Sequence, residues 1–237
     1  RDDEVPAKLY AKGVRAGDVK YFDYNEDGDI SDADRMNVGK AIPDFYGGIT
    51  SNFSYKGFDL SLFGQFSVGG KVMSAWRGVN GSEGTDHLGL ALSNVKVNDR
   101  GESVEQYFNV SKEVANGYWR GEGTSNTIPR PVRIGVHTGY DYDYNVQTST
   151  RYLEDASYFK LKTVTLGYTL PESVVKKLRV NSLRVYVSAD NLLTLTKYSG
   201  YDPETSFSGS PGNSNYGVDF GLQPVLRTFI FGLNLNF

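Results

Sequence analysis

The sequence predicts an all-β protein, and three observations carry this prediction. Its 237 residues include 17 Tyr, 13 Phe and 27 Gly, and such an aromatic load is typical of strands. Five segments alternate between apolar and polar residues with the two-residue period of a strand. Long polar connections also alternate with short ones along the chain, as they do in antiparallel sheets with distinct rims.

Composition excludes several other classes. The net charge is −3, which argues against a basic nucleic-acid binder. The chain has no cysteine, so a disulfide framework, a thiolate metal site and a cysteine nucleophile are excluded. No run of 18 apolar residues occurs, so the sequence predicts no membrane-spanning helix. The acidic excess lies in residues 1–44, which hold eleven acidic and seven basic side chains.

Each predicted strand places large apolar side chains on one face and polar ones on the other. In the last strand, Phe229, Phe231 and Leu233 alternate with Thr228 and Asn234. Segments of about 9–11 residues are long enough to cross a bilayer when tilted. The predicted strands cover residues 45–55, 58–68, 157–170, 182–192 and 225–237.

The connections between these strands differ strongly in length. Residues 56–57 and 171–181 form short turns, whereas 69–156 and 193–224 are long, polar loops. Long loops on one rim and short turns on the other are typical of an outer-membrane barrel. The pattern therefore favours a transmembrane antiparallel β-barrel, and because five strands cannot close a barrel, we expect this chain to supply only part of one.

The alternation leaves a second interpretation open. A soluble β-sandwich has the same period with its apolar face turned inward, so a soluble, calcium-stabilised sandwich that binds carbohydrate is the alternative. A secreted glycan hydrolase would need two carboxylates at catalytic spacing in a cleft, and the sequence offers no compelling pair. We predict that the chain is not an enzyme and assign no catalytic residue and no substrate-binding residue.

The most specific chemical motif lies near the start of the chain. Oxygen-bearing residues occupy positions 1, 3, 5, 7, 9 and 12 of a calcium-type loop, and Gly28 occupies position 6, where such loops turn sharply. Asp34 stands where a bidentate Glu is usual, so a weaker site is expected. A solvated acidic turn ending in a capping box is the alternative. The candidate ligands for a structural Ca²⁺ are Asp23, Asn25, Asp27, Asp29, Ser31 and Asp34.

A distinctive run, DNLLTLTKYSGYDPE, occupies residues 190–204. Further motifs lie at residues 17–30, 43–48, 55–60, 157–171 and 229–237. In their order these motifs resemble the SusC/RagA family of TonB-dependent outer-membrane transporters, and the run at 190–204, which is similar to a run in the carboxy-terminal region of that family, is the strongest match.

This resemblance implies both a place in the barrel and a set of partners. The chain would supply about the last five strands, with its carboxy terminus at the periplasmic rim of the outer membrane of a Gram-negative bacterium. Residues 1–44 would form an extracellular loop region, and residues 45–237 the barrel strands with extracellular loops 69–156 and 193–224. The implied partners are the remainder of the barrel and its plug, a SusD-like surface lipoprotein, TonB through an amino-terminal part, outer-membrane lipid, and an oligosaccharide or peptide substrate.

Overall fold

The computed structural model describes residues 1–77, 91–97, 100–107, 112–134, 144–204 and 216–237. Strands predominate, and the helices are short. None of the helices in these ranges is long and apolar enough to cross a membrane. In chain order the elements are α1 Ala7–Ala11, β1 Phe45–Tyr55, β2 Phe58–Val68, β3 Lys71–Ser74, β4 Ala91–Val97, β5 Ser103–Tyr107, α2 Lys112–Gly117, β6 Val132–Ile134, β7 Leu153–Asp155, β8 Tyr158–Thr169, α3 Glu172–Leu178, β9 Ser182–Thr196, β10 Val218–Asp219 and β11 Thr228–Asn236.

The chain divides into two compact units. The first comprises residues 1–38 and 74–153, and the second comprises residues 39–73 and 154–237. The first unit contains a sheet in the order β5-β4-β6, and it has a small core in which Leu9, Val14 and Tyr144 are buried together. A further sheet of very short strands, in the order β10-β3-β7, was not predicted, because strands of two to four residues carry no readable period.

The second unit contains the five-stranded antiparallel sheet that the sequence predicts. Its order is β1-β2-β8-β9-β11, and every neighbouring pair is antiparallel. Lys56 and Gly57 both have positive φ and join β1 to β2 as a two-residue hairpin, the turn whose twist suits a hairpin. The predicted bounds of β1 and β2 are confirmed residue for residue.

The predicted ends of β9 and β11 differ from those in the structure. β9 continues four residues past the predicted end, because Asn191, at φ 52, forms an irregularity after which pairing with β8 resumes at Leu193. This irregularity interrupts the alternation on which the prediction relied. β11 begins at Thr228, where pairing with Asp190 starts, and residues 225–227 precede the ladder.

One face of the sheet carries large apolar side chains that remain exposed. In β11, Phe231 is 80% exposed and Leu233 is 72% exposed, and in β1 Phe53 is 60% exposed. A soluble sandwich would bury these side chains against a second sheet, so the structure does not support that alternative. The exposed face fits contact with lipid, and we call it the outer face. The opposite face is called the inner face.

Candidate functional site

The inner face of the sheet carries polar side chains that bind one another across neighbouring strands. The Thr163 hydroxyl donates to Asp190 at 3.1 Å, and the hydroxyls of Thr165 and Ser188 are 2.8 Å apart. Cross-strand polar pairs of this kind stabilise a sheet and give the inner face the chemistry of a wet lumen.

A bulge in β8 places two lysines on this inner face. The register of β8 shifts between Leu161 and Thr163 relative to both of its neighbours. Because a bulge adds one residue to the alternation, the inner residues are Lys160 and Lys162 before it and Thr163 after it. This parity change is the reason that two cations and a hydroxyl residue follow one another along the same face.

The two lysines meet two carboxylates from the loop that follows β9. The Lys160 ammonium is 2.5 Å from the carboxylates of both Asp202 and Glu204, and the Lys162 ammonium is 2.7 Å from Glu204. The Lys160 side chain is only 4% exposed. We call these four residues the lysine–carboxylate cluster. It attaches the loop segment 202–204 to the inner face of β8.

Two neutral side chains complete the contacts of Glu204. The Tyr158 hydroxyl donates to Glu204 Oε1 at 2.8 Å, and the Gln65 amide donates to the same oxygen at 3.0 Å. Burial alone would raise the pKa of Glu204, but hydrogen bonds from Lys160, Lys162 and Tyr158 outweigh it and lower this pKa to about 2. Glu204 is therefore a carboxylate at neutral pH, with donors around both of its oxygens.

A cavity of about 400 Å³ lies beside this cluster within the second unit. Its size is in the range of small-molecule sites. Strand residues of the inner face and loop residues both contribute to its walls. The polar and aromatic lining residues are Tyr46, Gln65, Ser67, Lys71, Tyr158, Glu204 and Tyr216.

Nearer the hairpin end of the sheet, the inner face carries a second ion pair. The Arg184 Nε atom donates to Asp59 Oδ1 at 2.9 Å, and its Nη2 atom donates to the other carboxylate oxygen, so the pair is bidentate. Arg184 and Asp59 lie on β9 and β2, and they meet across β8. They do so over Gly167, where an added Cβ would overlap both side chains.

The predicted calcium loop forms a compact turn. Asp23 accepts hydrogen bonds from the backbone amides of Asp27 and Gly28. Asp34 accepts from the amides of Tyr24 and Ser31, and the hydrogen bond from Ser31 is the main reason that the pKa of Asp34 is lowered. Within the part of the chain that the structure describes, no group of three or more His, Asp or Glu side chains is arranged to hold a metal ion.

The other three predicted ligands, Asn25, Asp29 and Ser31, lie in the same turn. Asn25 accepts from the amide of Asp27, and Ser31 caps the 3-10 turn Asp32–Asp34 in the predicted capping box. The Asp29 carboxylate pairs with Lys12 at 2.6 Å, and that hydrogen bond is the main reason that the pKa of Asp29 is lowered. Because the Asp29 carboxylate pairs with Lys12, the group that Asp29 can offer to a metal ion is its backbone carbonyl. Position 7 of a calcium-type loop supplies that same group.

The first unit contains a buried polar cluster that the sequence did not reveal. Arg130 forms a bidentate pair with Asp18, at 2.6 and 2.8 Å. Asn145, which is 1% exposed, donates to Asp18 at 2.8 Å and accepts from the amide of Val19. Sequence separations above 100 residues hide such a cluster from local pattern analysis. Its satisfied donors and acceptors indicate a role in holding loops together.

Comparison with known proteins identifies the relatives of this chain. No family model matches it. The TonB-dependent receptor P3 of Formosa agariphila is 34% identical over 225 residues, which cover 93% of this chain and 19% of that receptor. The TonB-dependent receptor SusC of Bacteroides thetaiotaomicron is 26% identical over 235 residues, which cover 98% of this chain and 19% of SusC. The chain belongs to the SusC-like TonB-dependent receptors.

The fold is shared with solved structures of that kind. A structure of the RagAB peptide importer in its closed-closed state superimposes with a TM-score of 0.58 at 23% identity, covering 89% of this chain and 19% of the other. The SusC-like relatives are receptors and not enzymes, in agreement with the prediction from sequence. The chain spans about a fifth of the length of the relatives that it matches.

Proposed function

We propose that this chain is the carboxy-terminal part of a SusC-like transporter that imports oligosaccharides or peptides across the outer membrane. One observation carries the proposal: the five-stranded sheet has an exposed apolar outer face and a hydrogen-bonded polar inner face. A sheet with these two faces suits a wall between lipid and a wet lumen. The likeness to a structure described as a peptide importer supports import as the activity.

The sheet edges support an assembly with further strands. β1 and β11 are the two edge strands of the five-stranded sheet. Each has a row of backbone N–H and C=O groups along the edge that points away from the neighbouring strand. In hydrocarbon an unpaired backbone group costs several kcal/mol. These edges therefore fit pairing with the remainder of the same barrel. In this proposal a SusD-like lipoprotein captures substrate at the cell surface, and TonB acts through a part of the receptor outside this chain.

The proposal also assigns an orientation. The hairpin 56–57 and the turn 171–181 lie at the periplasmic rim with the carboxy terminus, and the longer loops face the cell exterior. Short periplasmic turns and long extracellular loops are the usual arrangement in such barrels. Protease treatment of intact cells tests this: cleavage at a site inserted after Gly123 and protection of one inserted after Gly57 are expected. The reverse result would contradict the orientation.

Uptake by cells that carry the whole receptor tests the function. The receptor is expressed with and without its SusD-like partner in a Gram-negative host, and outer membranes are isolated with and without detergent. We expect a detergent-dependent outer-membrane protein and uptake of labelled oligosaccharide or peptide that stops when the proton gradient is dissipated. A receptor that is soluble without detergent would contradict the barrel. Uptake that continues after the proton gradient is dissipated would contradict TonB coupling.

We also propose that the loop 23–34 binds a structural Ca²⁺. The spacing of its oxygen-bearing residues supports this, as does Gly28 at φ 76 in the turn position. Calcium titration of the EGTA-treated whole receptor should raise its thermal stability in the millimolar range. Asp27→Ala should abolish the rise. Asp32→Ala is the matched control, because Asp32 holds no ligand position and is exposed. No calcium-dependent rise in the unaltered receptor would contradict the site.

A further inference from the structure

Basic side chains gather at the end of the sheet where its two short connections lie. The hairpin 56–57 and the turn 171–181 both belong to the second unit. The amide of Thr169, at the end of β8, donates to the carbonyl of Gly57, so the two connections are neighbours. They hold four basic side chains and one acidic one, although the whole chain has a net charge of −3. We call the four basic residues the basic rim: Lys56, Lys176, Lys177 and Arg179.

The basic rim keeps a positive charge after its local ion pair is formed. All four side chains are exposed. Glu172, the acidic residue of the two connections, pairs with Lys176 at 2.9 Å. Asp59, which begins the inner face of β2 just after the hairpin, is engaged by Arg184. The charges of the other three rim residues are therefore not balanced by a carboxylate from these two connections.

The hairpin part of the rim lies on the outer-face side of the sheet. The Lys56 ammonium is 5.2 Å from the centre of the Tyr55 ring, and Tyr55 shares the outer face with Phe53, two residues earlier on the same strand. Phe58 pairs with Tyr55 in the ladder, and its ring centre is 4.4 Å from that of Tyr168. Three aromatic rings thus end the outer face beside the rim. Aromatic rings are typical of the level where hydrocarbon meets the lipid head groups.

We infer that the basic rim binds the anionic head groups of phospholipids in the periplasmic leaflet of the outer membrane. Because the aromatic rings fit the edge of the hydrocarbon layer, the basic side chains directly beyond them lie at the depth of the phosphates. Each Lys or Arg close to an anionic bilayer surface strengthens the attraction about fivefold. This inference rests on the proposed function, because it uses the orientation proposed for the barrel.

Continuity with the outer face favours lipid as the occupant of the rim. Lys56 covers a ring of the surface that fits lipid, so its charge and that surface meet the same partner. In α3, Val174 is 39% exposed beside the rim lysines, and apolar side chains between basic ones are typical of segments that lie in a bilayer interface. Arg179 adds a guanidinium, whose planar array of donors matches phosphate oxygens. A soluble periplasmic protein is the rival occupant, and the experiment separates the two.

Native mass spectrometry of the delipidated whole receptor tests the inference. Anionic phosphatidylglycerol and zwitterionic phosphatidylcholine of the same chain length are titrated in turn, and the lipid-bound fraction gives a dissociation constant for each. We expect phosphatidylglycerol to bind at least about fivefold more tightly. One variant combines Lys56→Gln, Lys177→Gln and Arg179→Gln, and in it the two constants should become equal. A higher ammonium acetate concentration should weaken the preference, because salt screens exposed charges.

Two further variants control for total charge and for folding. Lys20→Gln, Arg35→Gln and Lys112→Gln together remove three exposed basic side chains from the regions proposed to be extracellular, and this variant should keep the preference. Lys56→Arg, Lys177→Arg and Arg179→Lys together keep every charge of the rim and should also keep it. Each variant is first checked for outer-membrane assembly and for an unchanged unfolding transition, so a misfolded protein is recognised.

The outcomes separate this inference from the proposed function. Equal affinity of the unaltered receptor for both lipids would overturn the inference, as would an undiminished preference in the Gln variant of the rim. The same loss in the extracellular control variant would also overturn it. If the rim variant retains its lipid preference but loses binding of the purified periplasmic domain of TonB, the rim is a protein surface instead. Each of these results leaves the importer standing, whereas a receptor that assembles but imports nothing with its partner would contradict the proposed function itself.

Discussion

The two faces of the five-stranded sheet differ in what determines their side chains, although every strand contributes to both faces. On the outer face, side chains such as Phe231 and Leu233 are highly exposed. These hydrophobic side chains suit contact with lipid and need no specific partner within the unit. On the inner face, polar side chains such as Lys160 and Arg184 are fixed by specific partners. The outer face therefore depends on the hydrophobicity of its residues, whereas the inner face depends on the identity and geometry of each pair.

This difference has a consequence for mutational sensitivity. A lipid-facing position tolerates exchange among apolar residues and rejects charge. An inner position with a buried ion pair rejects the loss of either partner, because the remaining charge stays buried without compensation. Four variants or conditions test this comparison.

The largest effect is expected from Lys160→Met. Lys160 is nearly buried and compensates both Asp202 and Glu204, so its removal leaves two carboxylates close together. Breaking a buried pair in this way costs about 3–5 kcal/mol. Urea unfolding of the receptor reconstituted in vesicles measures the loss.

The matched control for that prediction is Lys176→Met. Lys176 pairs with Glu172 one helical turn away, and its side chain is 75% exposed. Such a surface pair contributes about 0.3–0.5 kcal/mol. Equal destabilisation by the two substitutions would show that the inner cluster has no special energetic role.

A charge on the outer face should have the next largest effect. Leu233 lies in the middle of β11 and is 72% exposed, so Leu233→Arg would place a cation against hydrocarbon at a cost of about 2–4 kcal/mol near the bilayer midplane. Asn234→Arg, one residue along, points to the inner face and should cost much less. The assembled fraction in the outer membrane reports the difference, and similar losses for both would contradict the assignment of the faces.

Gly167→Ala tests how tightly the inner-face side chains pack over Gly167. An added methyl group would overlap Arg184 and Asp59, and overpacking of this kind costs about 1–3 kcal/mol. In an Arg184→Ala background the guanidinium is gone and Asp59 is no longer held over Gly167 by its partner, so the same change should cost less. A double-mutant cycle on unfolding midpoints measures this coupling, and additive losses would refute the proposed overlap.

The strand pattern of the outer face was predictable because each of its positions needs only an apolar side chain. The period of two therefore located all five long strands, and it placed Phe229 and Leu233 on the correct face. The inner face was predictable only where the period is unbroken. Bulges at Lys162 and Asn191 interrupt the alternation, so the sequence did not show that Lys160 and Lys162 meet Asp202 and Glu204.

Pairings over long sequence distances were not predictable from one sequence. The Asp202–Glu204 segment was part of the motif that identified the family resemblance, yet its contact with β8 depends on how the loop folds back. The same holds for Asp18 with Arg130 in the first unit. The calcium loop shows the opposite case: all of its candidate ligands lie within twelve consecutive residues, so the motif could be recognised locally, and calcium binding stays a prediction.

Acid should produce the smallest of the four effects, and within the inner cluster it should act through Glu204. The pKa of Glu204 is lowered from 4.5 to about 2 in the folded protein, so its ionised form stabilises the fold at higher pH. This stabilisation is complete above pH 4.5 and is lost as the pH falls toward 2. Because Glu204 is partly exposed, we expect a loss of about 1–2 kcal/mol. Glu204→Gln should flatten the pH dependence in this window, whereas Glu172→Gln, at an exposed helix position, should leave it unchanged. An unaltered pH profile in Glu204→Gln would mean that other carboxylates, and not this cluster, determine the acid sensitivity of the inner face.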